Sequence, residues 1–221
     1  NLPALETQLL LELLQRASAH SEWHVRAALM KVLAKALFDD ATNDQGDVPP
    51  GAAGLLTRPE TVQTQAAALQ DTQKDVRAWA AVGLGLAYVK ITDNPEQTTS
   101  RRAALIQGLR DPNLHIASLC GSYLQTESGG ASWKPASEDD AIAFLIATRN
   151  VEGLATLGQT AVPALVKAIN ADTSFPLSEK QGELADRNFI AQSLAKIGGP
   201  AVVEPLTTML GSADVNTIES I

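Results

Sequence analysis

A forty-residue repeat constrains this chain more than any other feature. Leu69, Asp71, Val76 and Ala80 correspond to Leu109, Asp111, Ile116 and Cys120, each pair forty positions apart. The same signature stands earlier as Ser21-Glu-Trp23-His24-Val25-Arg26-Ala27-Ala28-Leu29, where Val25 precedes Val76 by 51 positions because a long insertion lies between them. A second alignment gives the same period: Leu154-Ala155-Thr-Leu157-Gly158 and Ala161-Val162 match Leu194-Ala195-Lys-Ile197-Gly198 and Ala201-Val202. Such periods belong to arrays of small units, none of which can bury its apolar face without a neighbour.

Each unit reads as a helical hairpin. Between Val25 and Leu37 the apolar residues Val25, Leu29, Val32, Leu33, Ala36 and Leu37 recur at helical spacing, not at the alternation of a strand. Ala and Leu supply more than a quarter of the chain, which favours helix over sheet. Gly158 and Gly198 are placed to end helices with a left-handed cap, Thr160 and Pro200 to restart them, and Ser21 to cap another N-terminus. The pattern predicts an all-α chain with helices near 3–17, 23–38, 60–70, 74–90, 99–110, 113–125, 138–147, 149–157, 160–171, 185–197 and 200–211, about five and a half hairpins in one array over 1–221. Residues 39–59, 126–140 and 171–182, rich in Asp, Gly, Ser and Pro, read as irregular insertions.

Charge and cysteine content narrow the function. The chain carries 17 basic against 25 acidic residues, a net charge of −8. That balance argues against a nucleic-acid partner, which would require an excess of cations to displace phosphate counterions. The run Leu9-Leu10-Leu11-Glu12-Leu13-Leu14 is too short and too interrupted to cross a bilayer and lacks signal-peptide flanks, so no membrane insertion is expected. Cys120 is the one cysteine, so no internal disulfide forms, and a cytoplasmic setting is the expectation. Asn1 in place of Met, and an end at Ile221 within an incipient helix, lead to the expectation of a segment of a longer protein with flanking domains.

The pattern Asp71, Asp75, Val76, Arg77, Ala80, Leu84 resembles HEAT repeats. The stretches Leu157-Gly158 with Ala161-Val162-Pro163-Ala164-Leu165, and Ile197-Gly198 with Ala201-Val202, resemble the short bacterial version, the phycobilisome-lyase-type HEAT repeats. The resemblance spans nearly the whole chain and implies an α-solenoid of about five stacked antiparallel helix pairs, with the second helices lining a concave face. It also implies that Arg26 and Arg77, with Asp75 beside the latter, belong to a ladder of Asp–Arg pairs between repeats. His115-Ile116-Ala117 departs from the expected Val-Arg, and Ser128–Asp140 matches no repeat.

No residue pattern points firmly to catalysis. His20 and His24 are four apart but lack a third ligand, and no histidine is followed by Glu as in the di-iron branch of the HEAT family. Cys120, between Leu119 and Gly121, reads as a buried, inert thiol, with His115 five residues away and off its helix face. Gly83-Leu-Gly85 lacks the following Lys and Ser or Thr of a phosphate loop and reads as a site of close helix approach. Arg101, Arg102 and Arg110 read as a solvated helix face. Trp133, in a loop, and Trp79, on a second helix, are the best protein-binding candidates, with Arg77 and Arg26 beside them and Trp23 as a helix staple. The expected function is therefore a non-enzymatic interaction or assembly scaffold, without cofactor or metal, that binds a protein or peptide through its concave face or loops. The alternative implied by the resemblance is a phycobilin lyase-like, chromophore-handling enzyme; a HEAT-like DNA glycosylase would require a cationic groove.

Overall fold

The structure, a computed structural model, describes residues 2–38, 55–126, 133–171 and 183–212. Among these the chain is all-α: α1 (Leu2–Ser18), α2 (Trp23–Phe38), α3 (Pro59–Ala68), α4 (Lys74–Lys90), α5 (Pro95–Gly108), α6 (Leu114–Gln125), α7 (Glu138–Ala147), α8 (Val151–Leu157), α9 (Val162–Ile169), α10 (Glu183–Ile197) and α11 (Val203–Ser212). Every helix expected from the sequence is present; Trp23–Phe38, Lys74–Lys90 and Glu138–Ala147 have the expected ends and the others are shifted. The expected insertions fall largely outside the described residues, at 39–54, 127–132 and 172–182.

Three differences have local causes. α5 begins at Pro95, not near 99, because Asn94 caps it: its Oδ1 accepts the Gln97 N–H, and proline suits the first turn. The segment expected to start at 160 begins instead as the 3-10 turn Gly158–Ala161, and Pro200–Val202 does the same ahead of α11. At the start of α2 the cap is not Ser21. The helix begins at Trp23, and the Glu22 N–H donates to Nδ1 of His20 at 3.1 Å.

The chain divides into two compact units, Asn1–Gly108 with Tyr123–Trp133 and Leu109–Ser122 with Lys134–Ile221. In the first unit α1 packs on α2, and α4 packs on both α3 and α5. The first helices of successive pairs touch (α1 with α3, α3 with α5), and the second helices α2 and α4 share the most extensive contact. Met30, Leu33 and Leu37 of α2 and Val76, Ala80 and Leu84 of α4 are buried there. Small residues of α4 permit close approach of other neighbours: a Cβ on Gly85 would fall inside the Tyr123 ring of α6, and one on Gly83 would strike the Gln65 amide of α3.

The second unit uses the same wiring. α7 packs on α8 and α9 on α10, the first helices α7 and α9 touch, and the second helices α8 and α10 touch. Its core gathers Leu154, Leu165, Ile190 and Leu194, all at most 1% exposed.

The corners repeat atom for atom. Arg26 donates from Nη1 to the carbonyls of His20 and Ser21, and Arg77 donates from Nη1 to those of Asp71 and Thr72, the residues six and five positions before it in both cases. Asp71 accepts the Gln73 N–H and Asp111 accepts the Asn113 N–H, forty positions apart. Gly158 and Gly198 close α8 and α10 at φ +63° and +65°, a region in which glycine carries no Cβ penalty.

Candidate functional site

The sequence-expected site residues lie apart and play different parts. Arg26 is half-buried, and its Nε meets Oδ2 of Asp71 at 2.6 Å while Nη2 meets Oδ1 at 3.0 Å. This bidentate pair joins the first hairpin to the turn after α3. Burial pushes the Asp71 carboxyl up, but hydrogen bonds from Arg26 and the Gln73 N–H more than reverse this and leave it below the usual carboxylate range. The Asp71 hydrogen bond holds Arg26 above its usual value. The pair borders a cleft of about 380 Å³ between α1, α2 and α3, lined also by Gln15, Glu60, Thr64 and Met30.

Arg77 is not a surface group. It is 8% exposed, and its guanidinium is committed to the carbonyls of its own turn. This removes it from the contact residues and makes it a corner clamp. Asp75, expected to pair in the ladder, is displaced in that role by Asp71.

Trp79 is half-buried on α4, and the Lys31 ammonium of α2 lies 5.4 Å from its ring centroid, within cation–π range. Trp23 stacks on His24, with ring centroids 3.7 Å apart, at the start of α2. Trp133 is half-buried in the irregular stretch ahead of α7.

Cys120 is fully buried, and burial pushes its thiol far above the usual range. A thiol in that state is a poor nucleophile and a poor point of attachment for a chromophore. His20 and His24 are occupied by a backbone N–H and by Trp23. Among the described residues no group of three or more His, Cys, Asp or Glu is placed to hold a metal ion, and no helix is long and apolar enough to cross a membrane.

Two polar sites escaped the sequence reading. Arg101, expected on a solvated face, is 0% exposed. It donates from Nη2 to the Leu56 carbonyl at 2.8 Å and to Gln97 Oε1 at 3.1 Å, and from Nη1 to the Ile91 carbonyl at 3.4 Å. Its neighbours Arg102 and Arg110 are accessible as expected, Arg110 pairing with Asp140 at 2.6 Å. Leu56, ahead of α3, is itself buried, and its carbonyl draws the Arg101 guanidinium inside by accepting a hydrogen bond from it. Burial lowers the Arg101 pKa to about 10, which leaves the group charged at neutral pH.

The second site is Asp186, 1% exposed at the start of α10, whose Oδ1 accepts from Arg149 Nε at 2.9 Å and whose Oδ2 lies 3.5 Å from Nε2 of His115. Arg149 adopts φ +51° in the turn between α7 and α8, an uncommon conformation for a residue with a Cβ. Only one cue in the sequence bears on this site: His115 is the residue that breaks the repeat.

No protein-family model matches the chain, and no curated protein or solved structure matches it, so the likeness to HEAT repeats rests on the residues quoted for it.

Proposed function

We propose that the chain is a HEAT-like α-solenoid acting as a non-enzymatic protein-interaction module, with the outer faces of its second helices as the contact surface. The observation that carries this reading is recurrence: two arginines of the first unit reach the carbonyls six and five positions back, an aspartate bracket returns after forty residues, and the helix-to-helix wiring is the same in each unit. Recurring corners and wiring would stack similar hairpins, and stacked hairpins would expose a long surface whose shape, not a reactive group, does the work. Trp79 on α4, half-buried, is an aromatic anchor such a surface would offer, and Trp133, half-buried ahead of α7, would add a second anchor from a loop. The sealed thiol of Cys120 weighs against the chromophore-handling alternative.

Two measurements test this reading. A compact globule of this length has a radius of gyration of about 17 Å. Solution X-ray scattering should give a value clearly above that, and a value at 17 Å would refute the array. Quantitative enrichment from the native cell extract should recover a partner that the Trp79→Ala and Trp133→Ala chain loses while its helical ellipticity is retained. Equal recovery by both chains would remove the tryptophans from the surface.

A further inference from the structure

α2 is apolar on both sides. Its inner side buries Ala27, Met30, Leu33, Ala34 and Leu37 in the first unit. Its outer side carries Val25, Leu29 and Val32, at i, i+4 and i+7, with Val25 37% and Val32 64% exposed and Leu29 half-buried. A helix with apolar residues on two opposite sides offers a second face for another element to cover. The charge on this helix is equally one-sided: α2 contains Arg26, Lys31 and Lys35 and no acidic residue, in a chain of net charge −8. Arg26 is held by Asp71 at the inner corner, whereas Lys31 and Lys35 are exposed, four apart, along one edge of the valine stripe, with Trp79 beside Lys31.

We propose that this outer face of α2 docks an acidic amphipathic helix from a partner protein. This rests on the interaction-module reading and names both the surface and the partner class. The valines stand about 10 Å apart along the axis, two turns of helix, so a facing helix with apolar residues at i, i+3 or i+4, and i+7 covers both. Carboxylates flanking that stripe on the partner reach Lys31 and Lys35, which fixes its orientation and speeds its capture. A bilayer surface is a poorer match, because two lysines fall short of the four to eight that make a polybasic lipid site.

The test uses the whole chain and two labelled 18-residue helical peptides, one with a leucine stripe flanked by glutamates, the other with lysines in place of the glutamates, read by fluorescence anisotropy. The glutamate peptide should bind and the lysine peptide should not. Lys31→Glu with Lys35→Glu should weaken the glutamate peptide by at least tenfold and admit the lysine peptide, and Val32→Asp should weaken both, with circular dichroism unchanged. Indifference of the glutamate peptide to the double charge reversal overturns the proposal. So does binding of phosphatidylserine vesicles, lost on the reversal, in place of peptide binding, or concentration-dependent self-association that Val32→Asp abolishes. If a cellular partner is still enriched by the Val32→Asp chain, this face is wrong while the interaction-module reading stands. If nothing is enriched by any chain, that reading itself fails.

Discussion

Arg101→Ala is the sharpest test of the packing described here, because sequence and structure give opposite expectations for it. On a solvated helix face the change would cost within about 0.5 kcal/mol. In the structure the side chain is fully buried, and two well-formed hydrogen bonds, to the Leu56 carbonyl at 2.8 Å and to Gln97 Oε1 at 3.1 Å, depend on it. A buried acceptor left without a donor costs about 1–3 kcal/mol. The contact to the Ile91 carbonyl, at 3.4 Å, adds less. With the space vacated by the aliphatic stem, the expected loss is about 3–6 kcal/mol, a large part of the roughly 5–15 kcal/mol that holds a typical domain. Arg101→Lys keeps charge and stem but cannot span the separate acceptors, and should lose about 1–3 kcal/mol. Arg102→Ala, next along the helix and half-exposed, is the control, with an expected cost below about 1 kcal/mol. Urea unfolding followed by ellipticity measures all three. An Arg101→Ala midpoint equal to that of Arg102→Ala would refute the burial and the account of how the residues before α3 are anchored.

Gly158→Ala and Gly198→Ala meet open space, so each should cost only the backbone penalty of a Cβ at positive φ, about 1–3 kcal/mol, and by nearly equal amounts in urea unfolding if the two corners are equivalent. Gly85→Ala should cost more, about 1–3 kcal/mol from overpacking, since the new methyl falls inside the Tyr123 ring; near-UV dichroism should report the displaced tyrosine. Asp71 and Asp140 both have depressed carboxyl pKa values, Asp140 mainly through its hydrogen bond from Arg110. Each binds its proton more weakly in the folded than in the unfolded chain, so their stabilisation is complete above about pH 4 and is lost as pH falls through the depressed values. Asp71→Asn should therefore flatten part of the acid limb of a stability–pH curve, and an unchanged limb would count against the Arg26–Asp71 pair.

What the sequence reveals depends on how many residues carry the signal. Helix existence is encoded redundantly: the stripe from Val25 to Leu37 and its counterpart beginning at Val76 each rest on half a dozen apolar positions, so α2 and α4 emerge with the ends expected. The glycine caps are legible because a single residue type meets a single backbone need. Arg101 was not legible, since nothing in Ser100-Arg101-Arg102 distinguishes the buried guanidinium from the accessible one. The difference lies in the Leu56 carbonyl, 45 residues away, which has to find a donor. Asp186 and His115 were hidden in the same way, each polar residue being interpretable only once the other is in place. The outer stripe of α2 is visible in the sequence as hydrophobicity only, because periodicity reports that a residue is apolar and not which of two faces is covered.

The break in the repeat at His115-Ile116-Ala117 shows how one corner can be held by two kinds of bond. At the start of α4, Gln73 makes no side-chain cap hydrogen bond, and the turn is held instead by Arg77 grasping the carbonyls of Asp71 and Thr72. At the start of α6 the equivalent arginine is Ala117, so the clamp is lost. In its place Asn113, fully buried, accepts the N–H groups of His115 and Ile116 through Oδ1 at 3.1 and 3.2 Å. One corner satisfies orphan carbonyls and the other satisfies orphan amides, and either fixes the angle at which the helix begins. The costs should divide accordingly. Asn113→Ala should destabilise by about 1–2 kcal/mol, the scale of a lost cap, whereas Gln73→Ala should cost less than about 0.5 kcal/mol, because α4 does not use that side chain. A Gln73→Ala cost equal to that of Asn113→Ala would mean that both corners rest on capping and that the clamp by Arg77 is incidental.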